Sequence, residues 1–278
     1  MKKICTLFAT SLALTALIAQ AAPIAYESFG DAAATELAGT TADSGLGAWT
    51  LVTGAAGSAT YTSPGLDYTN LATSGNKVTV TTGTGLYANL TTPFNVAENS
   101  VGEIWGSFIM NTSNTSGDAA LSLYQASNPT STTPALASVG LINSGSARLI
   151  SGRQMDLNGN NGLATSTVAV NQQNLYVFRI TIDTNAGAVE SGTFWVNPTL
   201  TQGMTVGDLG SGWSANFNNT GLSGVAAIGL YTTGTNAAVF DEIRLGTTLD
   251  SVAVIPEPGT LALVGVALGS LLLFRRRK

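Results

Sequence analysis

Segments with a strand-like alternation recur along the middle of the chain and constrain its fold more than any other feature. In Asn174–Asp183, aromatic and aliphatic side chains occupy every second position, and Arg179, Thr181 and Asp183 lie among the alternate ones. Because successive side chains of a strand point to opposite faces, this period indicates a strand with one buried face. Lys77–Thr82 alternates between Thr and Val in the same way.

Further short segments of this kind are separated by clusters of turn-forming residues. The other candidate strands are Gly85–Phe94, Glu103–Thr112, Ala120–Ala126, Ala135–Ile142, Ala147–Gln154, Val189–Val196, Ala226–Thr232 and Ala238–Leu245. Gly, Asn, Asp, Ser and Pro are concentrated between them, as in Asn158–Gly162. Many short strands with such turns predict an all-β fold of two antiparallel sheets. No repeat, linker or charge block divides residues 22–254, so we predict one domain there.

The first 21 residues have the build of a secretory signal peptide. Lys2 and Lys3 precede an apolar segment, 4–18, and Ala19 and Ala21 form a small-x-small cleavage pattern. We predict cleavage after Ala21, with cleavage one residue later as the alternative. An uncleaved membrane anchor is the other interpretation, but the apolar segment is short for a span.

A tripartite segment stands at the other end of the chain. Pro256, Glu257 and Pro258 hold the backbone extended and precede an apolar stretch, 261–274. A basic cluster follows, consisting of Arg275, Arg276, Arg277 and Lys278. The apolar stretch predicts a transmembrane helix whose basic end stays on the cytoplasmic side. A helix from Gly259 would be about 24 Å long, shorter than a bilayer core of about 30 Å, which favours processing over permanent anchoring.

This segment resembles the PEP-CTERM protein-sorting signal of exported bacterial proteins. The resemblance implies that exosortase, a membrane protease, recognises the Pro-Glu-Pro element and removes the tail. It predicts signal peptidase and exosortase as processing partners, the inner membrane in transit, and then the cell surface or the extracellular space. The chain is thus divided into a signal peptide (1–21), a sandwich domain (22–254) and a sorting signal (255–278). A tail anchor with a chance Pro-Glu-Pro is the alternative.

The middle of the chain carries a second resemblance. Tyr26–Phe29, Gly45–Trp49, Phe194–Pro198 and Phe240–Gly246 are similar to segments of concanavalin-like (laminin-G-type) jelly rolls. The predicted fold is therefore an all-β, two-sheet antiparallel jelly-roll sandwich, flanked by an N-terminal signal helix and a C-terminal transmembrane helix. The resemblance also implies two activities found among such folds, glycan binding and glycan hydrolysis.

Composition argues against most enzyme chemistry. The chain has no His, and its one Cys lies in the predicted signal peptide, so His-based triads and His or thiolate metal sites are excluded. We predict no cofactor and no metal. The middle carries fifteen acids and five bases, and its charge of −10 argues against nucleic-acid binding.

A carboxylate pair is the remaining catalytic option. No Glu is followed by Asp two residues later, as the Glu-x-Asp-x-Glu motif of laminarinase-like enzymes requires. Asp241 and Glu242 are adjacent, so in a regular strand they face opposite ways. We interpret them as edge or sheet-face charges near Arg244 and predict that the protein is not an enzyme.

Trp213 is the candidate glycan contact, because it lies in a turn-like stretch, Gly210–Ala215. Trp105 and Trp195 lie in apolar strands and are predicted to be core residues. The oxygen-rich loops at 156–161 and 183–185 are interpreted as turns and not as calcium sites. The leading hypothesis is an exported structural or adhesive surface protein. A lectin-like module that binds extracellular polysaccharide is the alternative, and a glycosidase is less favoured.

Overall fold

The computed structural model describes residues 21–30, 36–113, 116–142, 146–150, 165–168, 170–217 and 223–253. Ala21 is exposed at the start of the first described segment. The other predicted terminal features lie outside the described residues: the signal helix with Ala19, the motif Pro256–Pro258, the transmembrane helix and the basic cluster 275–278. No helix in the described segments is long and apolar enough to cross a membrane.

Two antiparallel sheets contain nearly all of the regular structure. The first half of the chain forms β1 (Ala25–Glu27), β2 (Thr50–Thr53), β3 (Ala59–Thr62), β4 (Lys77–Val80), β5 (Gly85–Asn95), β6 (Val101–Thr112), β7 (Ala119–Tyr124) and β8 (Ala137–Ile142). The second half forms β9 (Ser146–Ile150), β10 (Thr165–Thr167), β11 (Asn174–Asp183), β12 (Ser191–Val196), β13 (Trp213–Asn216), β14 (Gly224–Thr232) and β15 (Ala238–Gly246). A 3-10 helix (Val206–Leu209) and helix α1 (Leu249–Val252) complete the described elements.

The strand order confirms the predicted two-sheet sandwich. One sheet has eight strands in the order β13-β12-β11-β6-β15-β4-β3, with β1 also paired to β15. The other has seven strands in the order β10-β9-β8-β7-β14-β5-β2. The last strand of the described residues, β15, therefore lies between β6 and β4 in the interior of its sheet, and the sheet is complete only when β15 has been inserted.

The alternation in β11 explains how the sheets face each other. Tyr176, Phe178, Ile180 and Ile182 are all buried in the main core between the sheets, as predicted. Phe178 lies opposite Gly106 of β6, and a Cβ at that glycine would lie 2.1 Å from the ring carbon Cζ of Phe178. The glycine thus provides the space that the ring occupies.

The outer face of the eight-stranded sheet is covered by a second apolar cluster. Helix α1 contributes Leu249 and Val252 to it, and the segments around Leu66 and Leu200 cover the adjoining strands. This cover buries the outward side chains at the start of β11, which the sequence alone presents as a strand with one buried face.

Candidate functional site

Four polar residues form a largely buried cluster where β1 and β15 meet the loop between β3 and β4. We call this group, Tyr26, Asp241, Glu242 and Arg244, the carboxylate cluster. Apart from half-buried Tyr26, each member is at most 3% exposed. Burying charged groups is unfavourable unless they are hydrogen-bonded or paired, so their partners determine what the cluster can do.

A β-bulge in β15 positions the two adjacent acids. The register with β6 shifts between Asp241 and Arg244, and Glu242 has a φ of 52°. The bulge adds a residue to the strand, so inward alternation resumes at Ile243, which lies in the main core together with Phe240. Strict alternation, on which the sequence interpretation of Asp241 and Glu242 rested, fails at this point.

Glu242 binds three different parts of the molecule. Its carboxylate accepts hydrogen bonds from the Tyr26 hydroxyl at 2.9 Å, from Arg244 Nη2 at 2.6 Å and from the backbone N–H of Ser74. Arg244 Nη2 also donates to the carbonyl of Ala72, and the guanidinium lies 5.1 Å from the centroid of the Tyr26 ring. Burial raises the pKa of Glu242, and the charge of Arg244 opposes that shift.

Asp241 fixes the start of the same loop. Its Oδ2 accepts a hydrogen bond from the Leu66 N–H at 2.5 Å, and its Oδ1 accepts one from the Glu242 N–H at 2.8 Å. Burial raises the pKa of Asp241 to about 8 despite these two backbone donors. Asp241 and Glu242 therefore hold the two ends of one covering loop, at Leu66 and Ser74.

Glu27 connects the N-terminal strand to the core. Its Oε1 accepts from the Phe29 N–H at 2.7 Å, and its Oε2 accepts from the indole Nε1 of Trp49 at 2.9 Å. Trp49 is 1% exposed, so its indole is a core group with a satisfied donor.

These contacts confirm that Glu242 lies beside Arg244, as expected, and correct the interpretation of Asp241 and Glu242 as edge or sheet-face charges. Both are 0% exposed, and β15 is a central strand. A carboxyl whose pKa is about 8 could serve as a general acid. Here both oxygens of Asp241 accept backbone N–H groups, and neither is presented to an open cleft. The contacts favour a role in holding the loop to the sheet.

The structure places the predicted tryptophans in two environments. Trp105 and Trp195 are each 3% exposed and stack with centroids 5.9 Å apart, which confirms the core prediction. Trp213 is half-buried on edge strand β13, with its ring 5.5 Å from that of Phe194. Its segment forms a strand rather than a turn, because β13 pairs with β12.

A polar group on the outer face of the seven-stranded sheet was missed by the sequence analysis. The Tyr87 hydroxyl donates to Asn128 Oδ1 at 3.2 Å, and Asn89 Nδ2 donates to the same oxygen at 2.9 Å. Tyr87 and Asn89 are half-buried and Asn128 is exposed. The only local signal is the two-residue spacing of Tyr87 and Asn89, and the distant Asn128 could not be assigned to them.

Both ends of the sandwich domain lie beside the last part of β15. The Ile24 N–H donates to the Leu245 carbonyl at 2.7 Å. At the other end, the Val252 carbonyl accepts from Ser107 Oγ at 2.6 Å, and Ser107 is the strand partner of Arg244. The segments predicted to be processed are therefore attached to the same region of the fold.

Sequence comparison identifies the C-terminal segment. Residues 254–278 match the family model of the PEP-CTERM protein-sorting motif. The chain carries a PEP-CTERM sorting motif at its C-terminus. This match confirms the resemblance drawn from Pro256–Pro258, the apolar stretch and the basic cluster. A PEP-CTERM motif implies export, anchoring through the C-terminus and exosortase processing. No curated protein matches the chain in sequence.

Several solved structures are similar to the sandwich. A galectin-like protein of unknown function from Bacillus subtilis has a TM-score of 0.44 and 9% identity, covering 82% of this chain and 97% of that one. The PL-14 alginate lyase from Aplysia kurodai has a TM-score of 0.42 and 13% identity, covering 69% and 87%. Basic winged bean lectin, solved with Tn-antigen, has a TM-score of 0.41 and 9% identity, covering 79% and 96%.

Proposed function

We propose that the protein is an exported, non-catalytic component of the bacterial cell surface or extracellular matrix, with a structural or adhesive role after exosortase removes its tail. The PEP-CTERM motif at residues 254–278 carries this proposal. The bonding of the carboxylate cluster supports a structural role, because the oxygens of Asp241 and Glu242 accept hydrogen bonds within the domain. The carboxylate of Glu27 does the same in the main core. The charge of −10 in the middle of the chain suits a protein that remains soluble outside the cell.

The test follows the size and location of the protein in its native host. The variant Pro256→Ala/Glu257→Ala removes the element that exosortase is expected to recognise. We expect wild type to appear outside the inner membrane in a shortened form and the variant to accumulate in the membrane at full length. Pro198→Ala is a matched control, because Pro198 also lies in the exported part but outside the motif. Full-length protein in the cytoplasm would contradict export, and an unchanged variant would contradict exosortase processing.

A glycan-binding module is the second candidate function. Tyr87 with Asn89 and Asn128 favours it, since an aromatic ring beside amide groups is a suitable surface for a sugar. Tyr87 also packs against a small buried cluster on the outer face of the seven-stranded sheet, which holds its ring in place. Trp213 remains a candidate contact through its exposed part.

A glycan array with the purified protein separates the two functions. If the protein binds glycans, wild type binds at least one polysaccharide on the array, and Tyr87→Ala or Trp213→Ala abolishes that binding. Tyr68→Ala is the control, because Tyr68 is a half-buried tyrosine on the outer face of the other sheet. If wild type binds no polysaccharide, the glycan-binding function is excluded and the structural role remains.

A further inference from the structure

Helix α1 closes the folded domain just before the sorting motif. Val252 is fully buried and Ala253 is 2% exposed. The carbonyl of Val252 accepts the buried hydrogen bond from Ser107, and the N–H of Ala253 donates to Leu249 at 2.9 Å. A Cβ at Gly246 would lie 1.8 Å from Ser251 Oγ, so the strand and the helix approach each other closely.

Very little chain separates this docked helix from the Pro-Glu-Pro element. Only Val254 and Ile255 lie between Ala253 and Pro256. Three Cα–Cα steps lead from Ala253 to Pro256, so the two residues are at most about 11 Å apart even when the chain between them is fully extended. The sandwich therefore lies next to the element that the membrane protease has to bind.

Extended binding of a peptide requires backbone groups that are free of other partners. Upstream of Pro256, only two residues separate the motif from the buried Ala253, whose N–H already bonds within α1. A protease that also binds residues before the motif would have to displace the end of the helix.

From this geometry we infer that docked α1 restricts access of exosortase to Pro256–Pro258, and that processing proceeds while α1 is undocked. The inference rests on the proposed processing of this chain. The processing rate then follows the undocked fraction, so a change that weakens docking accelerates processing without altering the motif. Processing would be fastest during export, before β15 is inserted between its neighbours and α1 packs on β15 and β6.

The test measures conversion of full-length precursor to processed protein in the native host by pulse-chase. The main variant inserts Gly-Ser-Gly-Ser between Ala253 and Val254, which lengthens the spacer and leaves the described contacts intact. Its control carries the same insert after Gly187, an exposed position where nothing lies within 4 Å of a Cβ. A second variant, Ser107→Ala, removes the hydrogen bond to Val252. Its control is Ser122→Ala, which removes a buried 2.7 Å bond to Ser138 in the other sheet.

If docked α1 restricts access, the spacer variant and Ser107→Ala are both processed faster than wild type. The two control variants are processed at the wild-type rate. For Ser107→Ala we expect about a fivefold faster conversion, which corresponds to about 1 kcal/mol for one hydrogen bond. If the spacer variant is processed no faster than wild type, the inference about α1 is overturned. Provided that wild type is still processed and the Pro256→Ala/Glu257→Ala variant is not, the proposed function stands in that case. Acceleration in Ser122→Ala equal to that in Ser107→Ala also overturns it, because global stability would then be the cause. If even wild type stays full length, the proposed function fails as well.

Discussion

The buried ion pair in the carboxylate cluster leads to a quantitative prediction of stability. Glu242 and Arg244 are 2.6 Å apart, with side-chain exposures of 0% and 4%. Glu242→Gln removes the negative charge and leaves the guanidinium buried beside a neutral amide. Removing one partner of a buried pair costs about 3 to 5 kcal/mol. With a urea m-value of about 2 to 3 kcal/mol/M, the unfolding midpoint should fall by about 1 to 2.5 M.

Two further variants separate this effect from a general loss of charge. Glu103→Gln disrupts the pair between Glu103 and Arg179, which are 3.4 Å apart and 41% and 31% exposed, so we expect less than about 1 kcal/mol. Glu242→Gln/Arg244→Met removes both buried charges while keeping similar volume, and should recover at least half of the loss.

Urea unfolding of the purified protein, followed by tryptophan fluorescence, measures all three variants. Trp49 is a suitable reporter because it is buried in the main core between the sheets. If Glu242→Gln lowers the unfolding free energy no more than Glu103→Gln does, the buried pair does not contribute the stability expected of it. A double variant no more stable than Glu242→Gln would likewise contradict a cost that comes from the unpaired guanidinium.

Two remaining predictions concern Asp241 and Gly106. The folded protein keeps a proton on Asp241 up to a pKa of about 8, whereas the unfolded chain releases it near 4, so the unfolding free energy should fall as pH rises through this interval. The raised pKa of Glu242 acts in the same direction, and a stability that increases over this range in urea titrations would contradict the assignment. Gly106→Ala should cost about 1 to 3 kcal/mol by forcing the Phe178 ring to move, whereas Gly187→Ala costs about 1 to 2 kcal/mol through its φ of 76° alone. Thermal unfolding compares the two, and a smaller Tm loss for Gly106→Ala would show that the ring can be accommodated elsewhere.

The strands were predictable where their signal is local. In β11 the alternating pattern identifies both the strand and its inward face, because side-chain direction depends only on position along the strand. β13 was not predictable, since Gly210 and Gly212 give its segment the composition of a turn. The pairing of Trp213 with Phe194 of β12 supplies the backbone partners that make it a strand.

The candidate site was largely beyond sequence reasoning. Asp241 bonds to a residue 175 positions away, and Glu242 bonds to one 168 positions away. The bulge that brings both acids to one loop reverses the expected alternation, and no local pattern marked it. The adjacency of two acids therefore suggested edge or sheet-face charges, although the fold buries both of them.

The sequence by itself determined the sorting motif, because the order of Pro256–Pro258, an apolar stretch and a basic cluster is recognisable without any folded structure. It also determined the sandwich class through the repeated alternation of short strands. Only the tertiary structure decided that Ile24 and Val252 both lie beside the end of β15 and that α1 stands two residues before the motif. These relations arise from pairing and packing between residues far apart in the chain, which no linear pattern encodes.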